Sequence, residues 1–389
     1  MGIVVTQRSY KPKLLRRTRR VVVKVGSSVL SSADGIRRES VIRLARALTT
    51  LHAEGKEVVL VTSGAVAAGL SGLGLKERPK TIPGKQAAAA VGQIALMALY
   101  ERAFSAGDVR VAQILLTHDD LANRRRYLNA KHTMLTLLDA RVIPIVNEND
   151  TVAVEEIQFG DNDNLSSLVA VLVEADLLVI LSDIEGLYDK DPRAHADARL
   201  IAVVEQITDT LFANAGGAGT LGRGGMVSKL QAAQKAGLSG IPTIIADGRQ
   251  SETIAAVFDP AREVGTLFLP VADRLTSRKH WIAYTLKPAG ELVVDAGALS
   301  AIRDRGRSLL PPGVRAVRGT FSEGECVTCV DETGQPFARG LVNYSSDALE
   351  RIKGVRTAQV ERILGYKISD EVIHRDDLAL LINSDDHNR

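Results

Sequence analysis

The 389-residue sequence predicts an α/β protein: a parallel-sheet αβα sandwich followed by a small, mostly-β domain. Three observations carry this. From about residue 20 to 270, short β-branched runs alternate with longer helical patterns, as strands joined by crossover helices should. Several runs are apolar throughout, which suits strands covered on both faces. Beyond residue 288 come short strand-like pieces separated by Gly and Pro turns.

The chain opens with a basic extension over residues 1–19. Arg8, Lys11, Lys13, Arg16, Arg17, Arg19 and Arg20 fall in the first twenty residues, with no acid among them. The net charge of the whole chain is +3, so the remainder is slightly acidic, which argues against a broad nucleic-acid surface. The extension has no apolar h-region and is not a secretory signal. It reads as a disordered start, with an Arg-rich transit peptide as the alternative.

The strand runs are VVVKV (21–25), EVVLV (57–61), VRVAQILL (109–116), RVIPIV (141–146), DLLVIL (176–181) and IPTIIA (241–246). Helical patterns cover 36–54, 85–106, 124–140, 164–174 and 226–237. This α/β unit spans 20–270, a connector follows over 271–288, the β domain covers 289–367, and a polar tail over 368–389 is expected to fray. The 45% hydrophobic content excludes a disordered chain. The longest apolar runs fall far short of the roughly 18 residues of a membrane span. Cys326 and Cys329 are too few for a disulfide framework, which favours a reducing cytoplasm. Their segment reads as a strand, where residues three apart face opposite sides, so they are expected to be structural rather than metal ligands.

In an open parallel sheet, ligands bind beyond the carboxyl ends of the strands. The first run ends in Lys24-Val25-Gly26-Ser27, which suits phosphate, although an ordinary strand-to-turn connection explains it equally. The second ends in Thr62-Ser63-Gly64 at the start of a helix, an anion site or a simple cap. Asn147-Glu148-Asn149-Asp150 and Asp161-Asn162-Asp163-Asn164 concentrate carboxylates and carboxamides, suited to holding an amino acid or the outer shell of Mg²⁺; turn chemistry is the alternative. Ser182-Asp183 ends the fifth run. Arg223-Gly224-Gly225-Met226-Val227-Ser228-Lys229 is a glycine-rich loop with a lysine one turn into a helix, fit to close over a nucleotide and neutralise a moving phosphoryl group.

Gly217–Gly222 fits G-x-G-x-x-G, but no strand precedes it, and no P-loop string occurs. His118, His132 and His195 form no catalytic constellation.

In order, VVVKVGSSVL, VTSGAVAAG, VNENDTV, GDNDNLS, LSDIEGLYDKDPR and GRGGMVSKLQAA resemble the amino acid kinase family, in its glutamate-phosphorylating branch. The resemblance runs from about Arg20 to Asp377, and SLLPPGVRAVRGTF, NYSSDALERIKG and VIHRDD resemble a PUA domain. Ser182 stands where the family often has Thr, and Arg223 where Thr is common. The resemblance implies transfer of phosphate from ATP to the side-chain carboxylate of L-glutamate, giving L-glutamate 5-phosphate, the first step of proline synthesis. It implies Lys24, Lys229 and Asp161 as the catalytic set, with Asp161 orienting the two lysines. Ser63, Gly64, Asp150 and Asn162 would hold glutamate. Lys24, Gly26, Ser27, Ser182, Asp183 and Arg223 through Lys229 would hold ATP, with Mg²⁺ bridging its phosphates and no metal held by protein ligands alone. It further implies inhibition by L-proline, a homo-oligomer (dimer or tetramer), functional coupling to glutamate-5-phosphate reductase, a cytoplasmic setting and no membrane. The alternatives are another amino acid or carbamate kinase, or RNA binding through the PUA-like segment. Residues 291–367 hold 11 basic and 10 acidic residues, weak electrostatics for a phosphate backbone, so nucleic acid is not expected.

Overall fold

The computed structural model describes residues 6–32, 35–152, 162–215, 225–250, 252–271, 279, 282–283 and 286–381. The chain divides into a larger unit ending at residue 272 and a smaller one beginning at 273, with residues 123–128 grouped with the smaller.

In the larger unit, α1 (Gln7–Arg17) leads into β1 (Arg20–Val25) and α2 (Ser27–Leu30). A hairpin of β2 (Ser31–Ser32) and β3 (Gly35–Ile36) precedes α3 (Arg38–Ala53), β4 (Glu57–Val61), α4 (Ala65–Gly72) and α5 (Ile82–Ser105). Then come β5 (Val111–Leu116), α6 (His118–Ala122), α7 (Arg124–Asp139), β6 (Ile143–Glu148), α8 (Asn162–Leu172) and β7 (Leu177–Ser182). The unit ends with β8 (Val203–Val204), α9 (Asp209–Ala215), α10 (Met226–Leu238), β9 (Thr243–Asp247), α11 (Thr253–Phe258) and β10 (Thr266–Phe268).

The eight strands run in the order β5-β6-β4-β1-β7-β9-β10-β8. β1, β4, β6, β7 and β9 are fully or almost fully buried, which is why their sequences are apolar runs rather than alternating ones. Lys24 pairs in register with Val61 on one side and Ile180 on the other. β1 therefore sits where the chain turns from building one half of the sheet to building the other, and a crevice forms at such a point. The sheet departs from the all-parallel expectation at one place: β10 runs antiparallel to β9.

The N-terminal segment corrects the expectation of disorder. Thr6 caps α1, its Oγ1 accepting from Ser9 N at 3.2 Å. Gln7, Lys11 and Leu15, spaced four apart, form one buried face. Gln7 Nε2 donates to Ala202 O (2.8 Å) and Gly265 O (3.0 Å), and Lys11 Nζ to Ala256 O (2.9 Å). Only Leu15 of the three is apolar, so the segment carries no hydrophobic period to betray a packed helix.

The smaller unit contains β11 (Gly290–Val294), α12 (Ala296–Arg303), β12 (Val314–Gly319), β13 (Cys326–Val330), β14 (Pro336–Leu341), α13 (Ser346–Ile352), α14 (Val360–Leu364) and β15 (Leu378–Leu380). Its sheet order is β12-β11-β13-β14-β15. Two boundaries shift. The tail expected to fray contributes buried Val372 and Ile373 and the strand β15, which pairs with β14. Ile282 and Ala283, in the expected connector, are buried with Cys326, Leu341 and Ala379. Cys326 and Cys329 are buried and belong to different apolar clusters, as their opposite faces on β13 require. Burial pushes the Cys329 thiol up to about 12, with Cys326 adding to the shift, which makes Cys329 a poor nucleophile.

Candidate active site

Two lysines from distant parts of the sequence meet on one carboxylate at the carboxyl end of β1. Lys24 Nζ is hydrogen-bonded to Asp163 Oδ1. Lys229 Nζ lies 3.0 Å from Asp163 Oδ2. Ser228 Oγ donates to the same oxygen at 2.7 Å. Asp163 is the second residue of α8, and Ser228 and Lys229 lie in the first turn of α10. All three charged side chains are buried. Burial alone would raise the Asp163 carboxyl, but the ammonium groups of Lys24 and Lys229 and the Ser228 hydroxyl hold it down to about 2. Two ammonium groups gathered on one carboxylate at the end of a strand suit the site to receiving a phosphoryl group.

Asn162, the residue before Asp163, serves the other side. Its Nδ2 donates to Thr62 O (2.6 Å), Ser63 Oγ (3.0 Å) and Asn147 Oδ1 (3.0 Å). Asn147 Nδ2 in turn donates to Gln93 Oε1 at 2.8 Å. The Thr62 hydroxyl lies 2.8 Å from the Tyr100 hydroxyl. Gly64 precedes α4 with φ +104°, a left-handed conformation, and a Cβ there would sit 2.8 Å from Ile36 Cδ1. Asp150 lies in the turn two residues beyond β6 and is half-buried. The start of α8 thus faces the Ser63 turn with Asn162 and the lysines with the next residue, Asp163.

A third set lines the ends of β7 and β9. Gly26 N donates to Leu181 O (3.1 Å) and Gly248 N to Ser182 O (2.8 Å), tying the loops after β1 and β9 to β7. Ser182 Oγ lies 3.2 Å from Asp183 Oδ1. Asp247 accepts a two-pronged contact from Arg249, Nε to Oδ1 and Nη2 to Oδ2, both at 2.9 Å. Burial opposes the Asp247 charge, but these Arg249 bonds prevail and hold its carboxyl below the ordinary range.

The structure therefore brings together Lys24, Lys229, Ser63, Asn162, Ser228 and the turns at Gly26-Ser27 and Ser182-Asp183. Gly225 precedes α10, and Met226 and Val227 open it. Asp161, Arg223 and Gly224 lie outside the described residues. Among the described residues, Asp163 bridges the two lysines. Sequence reasoning missed Gln93 and the Asp247–Arg249 pair. The Asp-Gly-Arg string at the end of the sixth run was a readable signal for the last; nothing in the sequence marked Gln93. His118, His132 and His195 are exposed.

The sequence profile of the Amino acid kinase family matches residues 19–247. The chain belongs to that family. The profile of the PUA domain matches residues 290–364. Members of the family similar to this chain include the glutamate 5-kinase of Geobacter sp. (strain M21), 53% identical over 373 residues, 95% of this chain and 100% of the relative. That of Geobacter sulfurreducens is 53% identical over 370 residues, covering 95% and 99% of the two chains. That of Meiothermus ruber is 53% identical over 370 residues, covering 95% and 97%. No described helix is long and apolar enough to cross a membrane.

Proposed function

We propose that the protein is a glutamate 5-kinase, transferring the terminal phosphoryl group of ATP to the side-chain carboxylate of L-glutamate. The observation that carries this reading is Lys24 and Lys229 converging on Asp163 beside the Asn162–Ser63 turn. The full-length likeness to glutamate 5-kinases selects the acceptor.

The acceptor carboxylate has an ordinary pKa of about 4.3, so it is already a nucleophile at neutral pH and needs no general base. The protein's work is alignment and charge neutralisation. Ser63, Gly64, Asn162 and Asp150 hold the amino acid, Asp150 meeting its ammonium. Ser182, Asp183, the Gly26-Ser27 turn and the 223–229 segment hold the nucleotide. Lys24 and Lys229 offset charge on the phosphoryl oxygens as the bond to the leaving oxygen lengthens. Asp163 keeps both lysines aimed, together with Asp161. Among the described residues, no cluster of three metal-ligating side chains occurs. On this reading Mg²⁺ carried on the ATP phosphates would screen their charge. On the same reading, L-proline competes with glutamate, the chain forms a homo-oligomer in the cytoplasm, and a reductase consumes the reactive product.

The test is turnover with Mg·ATP and L-glutamate in hydroxylamine, which traps an acyl phosphate as the hydroxamate. Glutamate-dependent hydroxamate, absent in Lys229→Ala, supports the reading. Turnover with aspartate, acetylglutamate or carbamate instead overturns the substrate while keeping the chemistry.

A further inference from the structure

Gln93 is a buried amide on α5 that touches no expected substrate group. Its Oε1 accepts from Asn147 Nδ2, while its Nε2 is buried without a hydrogen-bond partner. The orientation of this orphan follows from the contacts beyond it. Thr62 O can only accept, so Asn162 must turn its NH₂ toward it. That NH₂ also meets Asn147, which must then offer Oδ1. The NH₂ of Asn147 consequently faces Gln93, which must offer Oε1. Each amide dictates the next, and the surplus donor ends up on Gln93. At the opposite end, Asn162 Oδ1 takes no donor from the described residues and is not sealed among the buried unpartnered atoms.

We propose that Gln93 is a positioning residue for the amino-acid subsite, locking the Asn147 and Asn162 amides so that Asn162 Oδ1 is presented to the amino group of the substrate; this rests on the glutamate reading above. A buried donor without a partner carries a desolvation cost that a Leu or Met at the same place would avoid. Retaining an amide against that cost is what a residue chosen for function does. The backbone is arranged to deliver it. A Cβ on the neighbouring Gly92 would fall 1.9 Å from Ala65 O and 2.3 Å from Gly69 N, so α5 and α4 touch backbone to backbone there. That close crossing brings Gln93 within reach of the end of β6. Without an acceptor at position 93, the Asn147 amide is free to turn its NH₂ toward that of Asn162 and drive it from Ser63.

The experiment measures kcat and both KM values for the full chain carrying Gln93→Leu and Gln93→Glu. Gln93→Leu should raise the KM for L-glutamate about tenfold, the size of one lost substrate hydrogen bond, with the KM for Mg·ATP and kcat within about twofold. Gln93→Glu keeps an acceptor facing Asn147 and should recover most of that loss. Gln93→Leu combined with Asn147→Leu should raise the KM little beyond the larger single effect, because both break one chain of contacts. A glutamate KM within twofold of wild type in Gln93→Leu, additive effects in the double variant, or an equal rise in the ATP KM would each overturn the proposal. If Gln93→Leu does not fold, Gln93→Met carries the same comparison. Failure of the wild-type protein to phosphorylate glutamate would overturn the functional reading instead, and the two outcomes are distinct.

Discussion

Lys11 on α1 and Lys229 on α10 are both buried lysines of the larger unit, but their surroundings differ in kind. The Lys11 ammonium donates to the backbone carbonyls of Ala256 and Arg262. Burial holds it down to about 8, with Asp259 and Glu263 opposing the shift and Arg262 adding to it. Lys229 shares the Asp163 carboxylate with Lys24. A charge met by carbonyl dipoles acts as a peg, fastening α1 to α11. Two ammonium groups on one shared carboxylate, at the carboxyl end of β1, instead stand where an open sheet receives its ligand. Burial of a lysine, taken alone, therefore says nothing about catalysis; the chemistry of its partner does.

The sharpest way to test that contrast is to remove each lysine. Lys229→Ala should lower kcat by about 10³-fold, the scale of one lost electrostatic stabiliser, because Asp163 keeps Lys24 as a partner and the fold survives. Comparable loss of kcat in Lys11→Met would break the comparison. Next in size is Asp163→Asn, which leaves two buried ammonium groups without their common counter-charge. A stability loss of about 3–5 kcal/mol is expected in chemical denaturation without ligand. Saturating ADP should then raise Tm more in Asp163→Asn than in wild type, since the phosphates replace the missing anion. Equal ligand shifts would show that the two lysines do not face the nucleotide. Lys11→Met should cost less, about 1–3 kcal/mol for hydrogen bonds from a charged donor, with kcat within about twofold.

The smallest effects lie in pH dependence, and their signs differ. Asp163 is held at about 2, below the ordinary carboxylate value, so its contribution to stability is complete above about pH 4 and lost as pH falls through about 2. No Asp163 ionisation should therefore shape the rate between about pH 5 and 8. Lys11 is held at about 8, below an ordinary lysine, so folding favours its neutral form. Stability should rise from about pH 8 toward 10.5, and that slope should vanish in Lys11→Met.

The strands were legible because they are buried on both faces: VVVKV and DLLVIL suit only strands covered on both sides. Lys24, Ser63, Asn162 and Lys229 were legible because strand ends and helix starts are where an open sheet binds ligands. Asp163 was named only within its string, the lysine-orienting role going to Asp161 two positions earlier. The string Asp161-Asn162-Asp163-Asn164 offers two carboxylates, and only the helical geometry of α8 shows that the second bridges both lysines. Gln93 lies in an Ala-rich helix, where only the α4–α5 crossing reveals what it reaches. The antiparallel β10 spans three residues, too short for any period to be read. The packed α1 escaped because two of its three inward residues are polar, and their partners lie some 250 positions away.

β15 closes the smaller sheet by pairing Leu378 with Gly340, Ala379 with Arg339 and Leu380 with Ala338. During synthesis, β11 through β14 leave the ribosome well before that strand does. Until residue 380 has emerged, β14 presents an unpaired row of backbone donors and acceptors to its surroundings, alongside apolar Phe337, Ala338 and Leu341. A ribosome stalled between residues 341 and 378 thus holds a nascent chain with a sticky edge, and this stretch is where chaperone occupancy should peak.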